Sequence, residues 1–150
     1  MLDKTSVASL PVEKMIDTAM SMLKRSYTPY SHWKVGAALL DADGTIWGGC
    51  NIENAAFTPT NCAERTAFFK AISEGVTQFK AIAVVGGHEG KVEDYCSPCG
   101  VCRQVMEEFC DPATFIVIAA KSKTEYKVNL LSEILPDGFG PHNLKQPVNG

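Results

Sequence analysis

The chain has 150 residues, 45% of them hydrophobic and 21% charged, with a formal net charge of −3. These figures fit a single globular domain over 1–150 with one core. They speak against a nucleic-acid binder, which would show a basic patch or stripe, and against a membrane protein, because no apolar run approaches the roughly 20 residues that a span needs.

The opening stretch, MLDKTSVASLP, lacks the basic start and apolar run of a signal peptide, so a cytoplasmic location is expected. Residues 1–9 are polar and residues 141–150 are rich in Pro, Asn and Gly, so both ends are expected to be loose. Val12, Met15, Ile16, Ala19, Met20 and Leu23 recur at helical spacing and predict an amphipathic helix over 11–25. Tyr27-Thr28-Pro29-Tyr30-Ser31 ends it. Residues 35–40 and 45–50, joined through an Asp43-Gly44 turn, predict a hairpin. A loop over 51–61 leads to a second helix over 62–74, stopped by Gly75. On it Ala63, Ala67 and Ala71 lie four apart, so its backbone can approach a sheet closely.

Residues 81–85 read as a buried strand. Ser97-Pro98 marks a third helix start, with Pro in the first turn, running to Phe109. Strands follow over 114–119 and 126–128, then a short helix over 130–135. This order predicts an α/β fold of three layers, α-β-α, around a mixed five-stranded sheet.

Six cysteines are many for this length. Without a signal peptide, metal binding or catalysis explains them better than disulfides. Cys96, Cys99 and Cys102 crowd into seven residues, and Cys99 and Cys102 sit one turn apart at a helix start. The positive end of a helix dipole favours the thiolate that a metal needs. Cys62 also opens a predicted helix. Three thiolates from two helix N-termini leave a fourth position for water, the pattern of a catalytic zinc. Three readings compete with it: a closed site with Cys96 as fourth sulfur, an iron–sulfur cluster, and plain buried thiols. The iron–sulfur run would need a further cysteine soon after Cys102, and the next is Cys110.

Glu64 stands two residues from Cys62, too far round the helix to bind the same metal head-on. It can flank a metal-bound water and move its proton. The competing reading is a capping box, Asn61-x-x-Glu64. Arg65, one turn from Cys62, could offset the net charge of −1 that three thiolates leave on Zn²⁺. Arg103 and Gln104 are further candidates for the surroundings of the metal.

These residues resemble the cytidine deaminases, in the small homo-oligomeric form that acts on free nucleosides. The resemblance covers nearly the whole chain. It is carried by Tyr30-Ser31-His32-Trp33-Lys34-Val35-Gly36-Ala37-Ala38-Leu39, by Gly49-Cys50-Asn51-Ile52-Glu53-Asn54-Ala55, by Cys62-Ala63-Glu64-Arg65-Thr66-Ala67, and by Ser97-Pro98-Cys99-Gly100-Val101-Cys102-Arg103-Gln104. It implies one Zn²⁺ per chain on Cys62, Cys99 and Cys102, a hydroxide on that zinc attacking C4 of cytosine, and Glu64 as catalytic proton shuttle. Cytidine and 2′-deoxycytidine would become uridine and 2′-deoxyuridine with release of ammonia, a pyrimidine-salvage reaction. Asn51 and Glu53 would hold the ribose 3′-hydroxyl, and backbone groups near Ala63 and Cys99 would help read the base.

The chain departs from the family pattern at Trp33, where Phe is usual, and at Phe57, where many relatives have Tyr. Phe139 matches an aromatic that relatives insert into a neighbouring subunit's active site, which implies a homotetramer. Two other deaminase readings fit less well. A blasticidin-type enzyme would not carry Asn at 51, and a polynucleotide-editing enzyme typically uses His as first ligand. A zinc-stabilised binding module without turnover is the alternative from another class.

Overall fold

The structure, a computed structural model, describes residues 1–144. Helix α1 spans Val12–Met22, and Leu23–Arg25 continues it in 3-10 form. Its apolar stripe is real: Met15, Ile16 and Ala19 are fully buried. Strands β1 (Trp33–Asp41) and β2 (Ile46–Cys50) form the expected antiparallel hairpin, with Leu39 opposite Trp47. Its turn closes on Asp41, whose carboxylate accepts the amides of Asp43 and Thr45 and the ring N–H of Trp47.

The remaining elements are α2 (Ala63–Ser73), β3 (Phe79–His88), α3 (Gly100–Phe109), β4 (Ile116–Ala120), β5 (Tyr126–Leu130) and α4 (Leu131–Ile134). The sheet order is β2-β1-β3-β4-β5. β3 and β4 run parallel and the other neighbours antiparallel. A parallel pair needs a crossover, and α3 lies within it.

Side chains alternate along each strand, so the sheet has two apolar faces. Ala38, Leu40, Ala83 and Val85 face α1. Ala37, Leu39, Ile82 and Val84 pack with Ala63, Ala67 and Phe68 of α2 and Met106 of α3. The three-layer α-β-α architecture with a mixed five-stranded sheet therefore stands. The alanine ladder lets α2 lie very close to β2. A Cβ on Gly49 would collide with the Ala63 carbonyl and fall 2.9 Å from Ala67 Cβ. That close approach fixes the depth at which α2 begins, and so the depth of Cys62.

The ends differ from expectation. Residues 1–9 are anchored: the Leu2 amide donates to the Val128 carbonyl at 2.8 Å, Asp3 caps a 3-10 turn over Lys4–Val7, and Val7 is buried against the first core. A lone apolar residue carries no period, which is why the sequence hid this anchor. Pro141–Leu144 forms another 3-10 turn. Of the expected loose end at 141–150, residues 145–150 lie outside the described residues. Helix α3 starts two residues later than Ser97-Pro98 suggested, with Cys99 as its N-cap. Among the described residues no helix is long and apolar enough to cross a membrane.

Candidate active site

Cys62 is the N-cap of α2 and Cys99 the N-cap of α3, and Cys102 lies in the first turn of α3. Neither N-cap side chain bonds the helix behind it. The sulfurs of Cys62 and Cys99 are 3.7 Å apart, and those of Cys99 and Cys102 3.6 Å apart. All three lie within 4.8 Å of one another, the one such group among the described residues. A tetrahedral zinc with bonds of about 2.3 Å would space its sulfurs by about 3.8 Å. Donor type and spacing therefore fit zinc. Cys96 stands outside the triad, which leaves no fourth sulfur, and Cys110 is at the far end of α3, which removes the iron–sulfur reading.

The thiols share their protons unequally. A hydrogen bond with Cys102, helped by Arg65 and Cys99, outweighs burial and pulls Cys62 down to about 5. The same bond with Cys62, together with burial and the nearby Glu64 charge, pushes Cys102 up. Arg65 Nη2 donates to Cys62 Sγ at 3.2 Å, as one-turn spacing on α2 predicts.

Glu64 is only 3% exposed. Burial pushes its carboxyl up to about 7, the charge on Cys62 adds to this, and a hydrogen bond with Cys102 opposes it. The capping box does not form. The helix begins one residue too late for it, with the Cys62 carbonyl accepting from the Thr66 amide, and Asn61 bonds the Thr66 hydroxyl instead. Glu64 is left facing a cavity beside the sulfurs.

That cavity holds about 290 Å³. Trp33, Asn51, Glu53 and Ala63 line it with Cys62, Glu64 and Cys99. Asn51 braces the mouth: its Oδ1 accepts the Val35 amide at 2.9 Å and its Nδ2 donates to the Trp33 carbonyl at 2.7 Å. Glu53 Oε1 accepts the amides of Tyr30 and Ser31. Bonding with Ser31 holds its carboxyl below the usual range. The sequence reading missed Thr60, Asn61 and Cys96 as wall residues. Each is a near neighbour of a ligand in sequence, which was the available signal.

Two candidates lie outside the cavity of their own chain. Phe57, 69% exposed and in the left-handed region at φ +57°, packs edge-on against Tyr30 at 5.8 Å. Phe139 is 59% exposed. Neither lines the cavity of its own chain. Gln104 does not support the metal: two residues on from Cys102 it turns away, and its Nε2 donates to the Phe139 carbonyl at 2.7 Å. Arg103 likewise ties backbone, donating to Pro98 O and Ile134 O at 2.8 and 2.6 Å.

Residues 11–118 match the family described as "Cytidine and deoxycytidylate deaminase zinc-binding region". Among curated proteins, the chain is 49% identical over 135 residues to a cytidine deaminase of Sporosarcina psychrophila, covering 90% of this chain and 96% of that one. It is 39% identical to a probable cytidine deaminase of Dictyostelium discoideum, covering 89% and 86%. Among solved structures, the cytidine deaminase of Burkholderia pseudomallei matches with a TM-score of 0.76 and 42% identity, covering 84% of this chain and 97% of that one. That of Mycobacterium tuberculosis matches with 0.74 and 34%, covering 87% and 98%. Sequence, fold and sulfur triad agree: the chain belongs to the cytidine and deoxycytidylate deaminase family of zinc-binding enzymes.

Proposed function

We propose that the chain hydrolyses cytidine and 2′-deoxycytidine to uridine and 2′-deoxyuridine, with one zinc on Cys62, Cys99 and Cys102. The observation that carries the reading is Glu64, a buried carboxylate in the wall of the cavity on which the sulfur triad opens. Bound there, zinc supplies a Lewis acid that makes a water acidic near neutral pH. Glu64 takes the first proton of that water and delivers it to ring N3 as the water oxygen bonds to C4. It then takes the proton of the new hydroxyl on C4 and delivers it to the amino group, which leaves as ammonia. A buried carboxylate in the wall beside the sulfurs is within reach of both transfers.

Sugar recognition follows from what the mouth residues leave unused. Asn51 spends one N–H on Trp33 and keeps a second. Glu53 spends Oε1 on two amides and keeps Oε2 for a ribose hydroxyl. Trp33 offers an indole face to the base, and backbone groups near Ala63 and Cys99 read its polar edge.

The assembly we favour is a homotetramer. Trp33 in the cavity wall and Phe57 against Tyr30 both stay exposed, and a neighbouring copy would cover them, with Phe139 entering that copy's site. A free nucleoside substrate would put the reaction in pyrimidine salvage in the cytoplasm. Loss of cytidine absorbance, measured beside metal analysis of the same sample, tests the reading. The expected result is about one zinc per chain with conversion to uridine. Zinc without turnover would leave a binding module and sink the enzyme reading.

A further inference from the structure

Phe139 sits between two glycines on the segment 135–140, which follows α4. This strap is fastened to α3 at three points. At its root, Arg103 donates to the Ile134 carbonyl. At its middle, Gln104 Nε2 donates to the carbonyl of Phe139 itself at 2.7 Å. One helical turn on from Arg103, the carboxylate of Glu107 lies against both glycines. A Cβ on Gly138 would fall 3.1 Å from the Glu107 carboxyl carbon, and one on Gly140 would fall 2.9 Å from Glu107 Cγ. Glycine on each side of Phe139 is therefore what lets the backbone lie on the helix.

Glu107 is 4% exposed; its Oε1 lies 3.9 Å from His142 Nδ1, and its Oε2 has no hydrogen-bond partner among the described residues. Leaving that second oxygen buried without a hydrogen bond costs stability. Of the strap that Glu107 supports, Leu135 packs on the core, whereas Phe139 is 59% exposed. A large aromatic held out on anchored backbone loses little conformational freedom when a surface closes over it. The fastening thus serves the presentation of one side chain.

We propose that Gln104 and Glu107 are positioning residues that aim Phe139 at the cavity mouth of a second copy of this chain. Helix α3 would then do two jobs: its start carries Cys99 and Cys102, and its next two turns set the aromatic that closes a neighbour's pocket. This rests on the reading that Phe139 serves a neighbouring subunit's site.

The test compares Phe139→Ala, Gln104→Leu, Gly140→Ala and the double variants with Phe139→Ala. The measurements are zinc content, oligomer size, and KM and kcat for cytidine. We expect Gln104→Leu and Gly140→Ala to keep zinc and oligomer, to raise KM roughly fivefold, the weight of one hydrogen bond, and to leave kcat nearly unchanged. On the Phe139→Ala background they should add nothing further. If Phe139→Ala leaves KM alone, the reading of Phe139 falls and takes the positioning role with it. If Phe139→Ala raises KM while the other two do not, the positioning role alone falls. Full effects on the Phe139→Ala background overturn it as well, because the residues would then act elsewhere. If Gln104→Leu does not fold, Gly140→Ala carries the same comparison from the strap's side.

Discussion

Arg65 Nη2 lies 3.2 Å from Cys62 Sγ, one turn along the helix that Cys62 opens. In the proposed zinc site that guanidinium would offset the charge of three thiolates around a divalent metal. Arg65→Gln keeps a donor and removes the charge. It should lower kcat/KM by about 10- to 100-fold and move the acidic limb of the pH–rate profile upward, because a more negative site holds its water proton harder. A profile recorded with metal content checks this, and an unmoved limb would remove the charge-balance role.

Glu64→Gln keeps shape but cannot shuttle protons. Zinc content should be unchanged while kcat falls by about 10²- to 10⁴-fold. Zinc-stripped protein gives a second readout. Burial raises the Glu64 carboxyl from 4.5 to about 7, so the folded state binds that proton more tightly than the unfolded chain. Its stabilising contribution is full below about 4.5 and is lost as pH rises through about 7. In urea unfolding, zinc-stripped wild type should lose stability relative to Glu64→Gln across that window.

Cys96 faces the cavity but stands outside the sulfur triad. Cys96→Ser should therefore retain about one zinc per chain, whereas Cys62→Ser, Cys99→Ser and Cys102→Ser should each lose most of it. Metal analysis of the four variants after dialysis separates three sulfurs from four.

Asp41 is 3% exposed in the hairpin turn. Burial alone would raise its carboxyl, but the ring N–H of Trp47 and the amides of Thr45, Asp43 and Gly44 outweigh burial and lower it. A depressed carboxyl stabilises the fold above its unfolded value, near 3.8, and that contribution is lost as pH falls through the folded value. Asp41→Asn cannot accept the indole N–H with its amide nitrogen. At neutral pH it should cost about 1–3 kcal/mol, and the gap from wild type should close on acidification. Denaturant melts followed by tryptophan fluorescence measure both.

Much of this was legible in the residues themselves. The α1 stripe follows from spacing, since Met15, Ile16 and Ala19 can share a buried face only on a helix. The sulfur triad was legible because Cys99 and Cys102 are one turn apart and a Cys opens each of two helices. What escaped depended on single-residue phase or on distant chain. Whether Glu64 caps α2 depended on the phase of that helix, which its start at Ala63 fixes. Gln104 was grouped with the metal because it is close in sequence, yet its place on the helix sends it to Phe139. Nothing local marked Glu107 as buried, because the glycines that cover it lie 31 and 33 residues further along.

The two cysteine N-caps carry a consequence for how metal supply is felt by the protein. Helices in proteins commonly begin on Ser, Thr, Asp or Asn, whose oxygens satisfy the first free amides. Here both helices around the cavity begin on sulfur that makes no such bond. The ion that draws the sulfurs together would therefore also clamp the starts of α2 and α3 to each other. Starvation for zinc, or oxidation of one thiol, would loosen two helix ends at once. Amide exchange in the first turns of α2 and α3 should then report occupancy before any substrate is added.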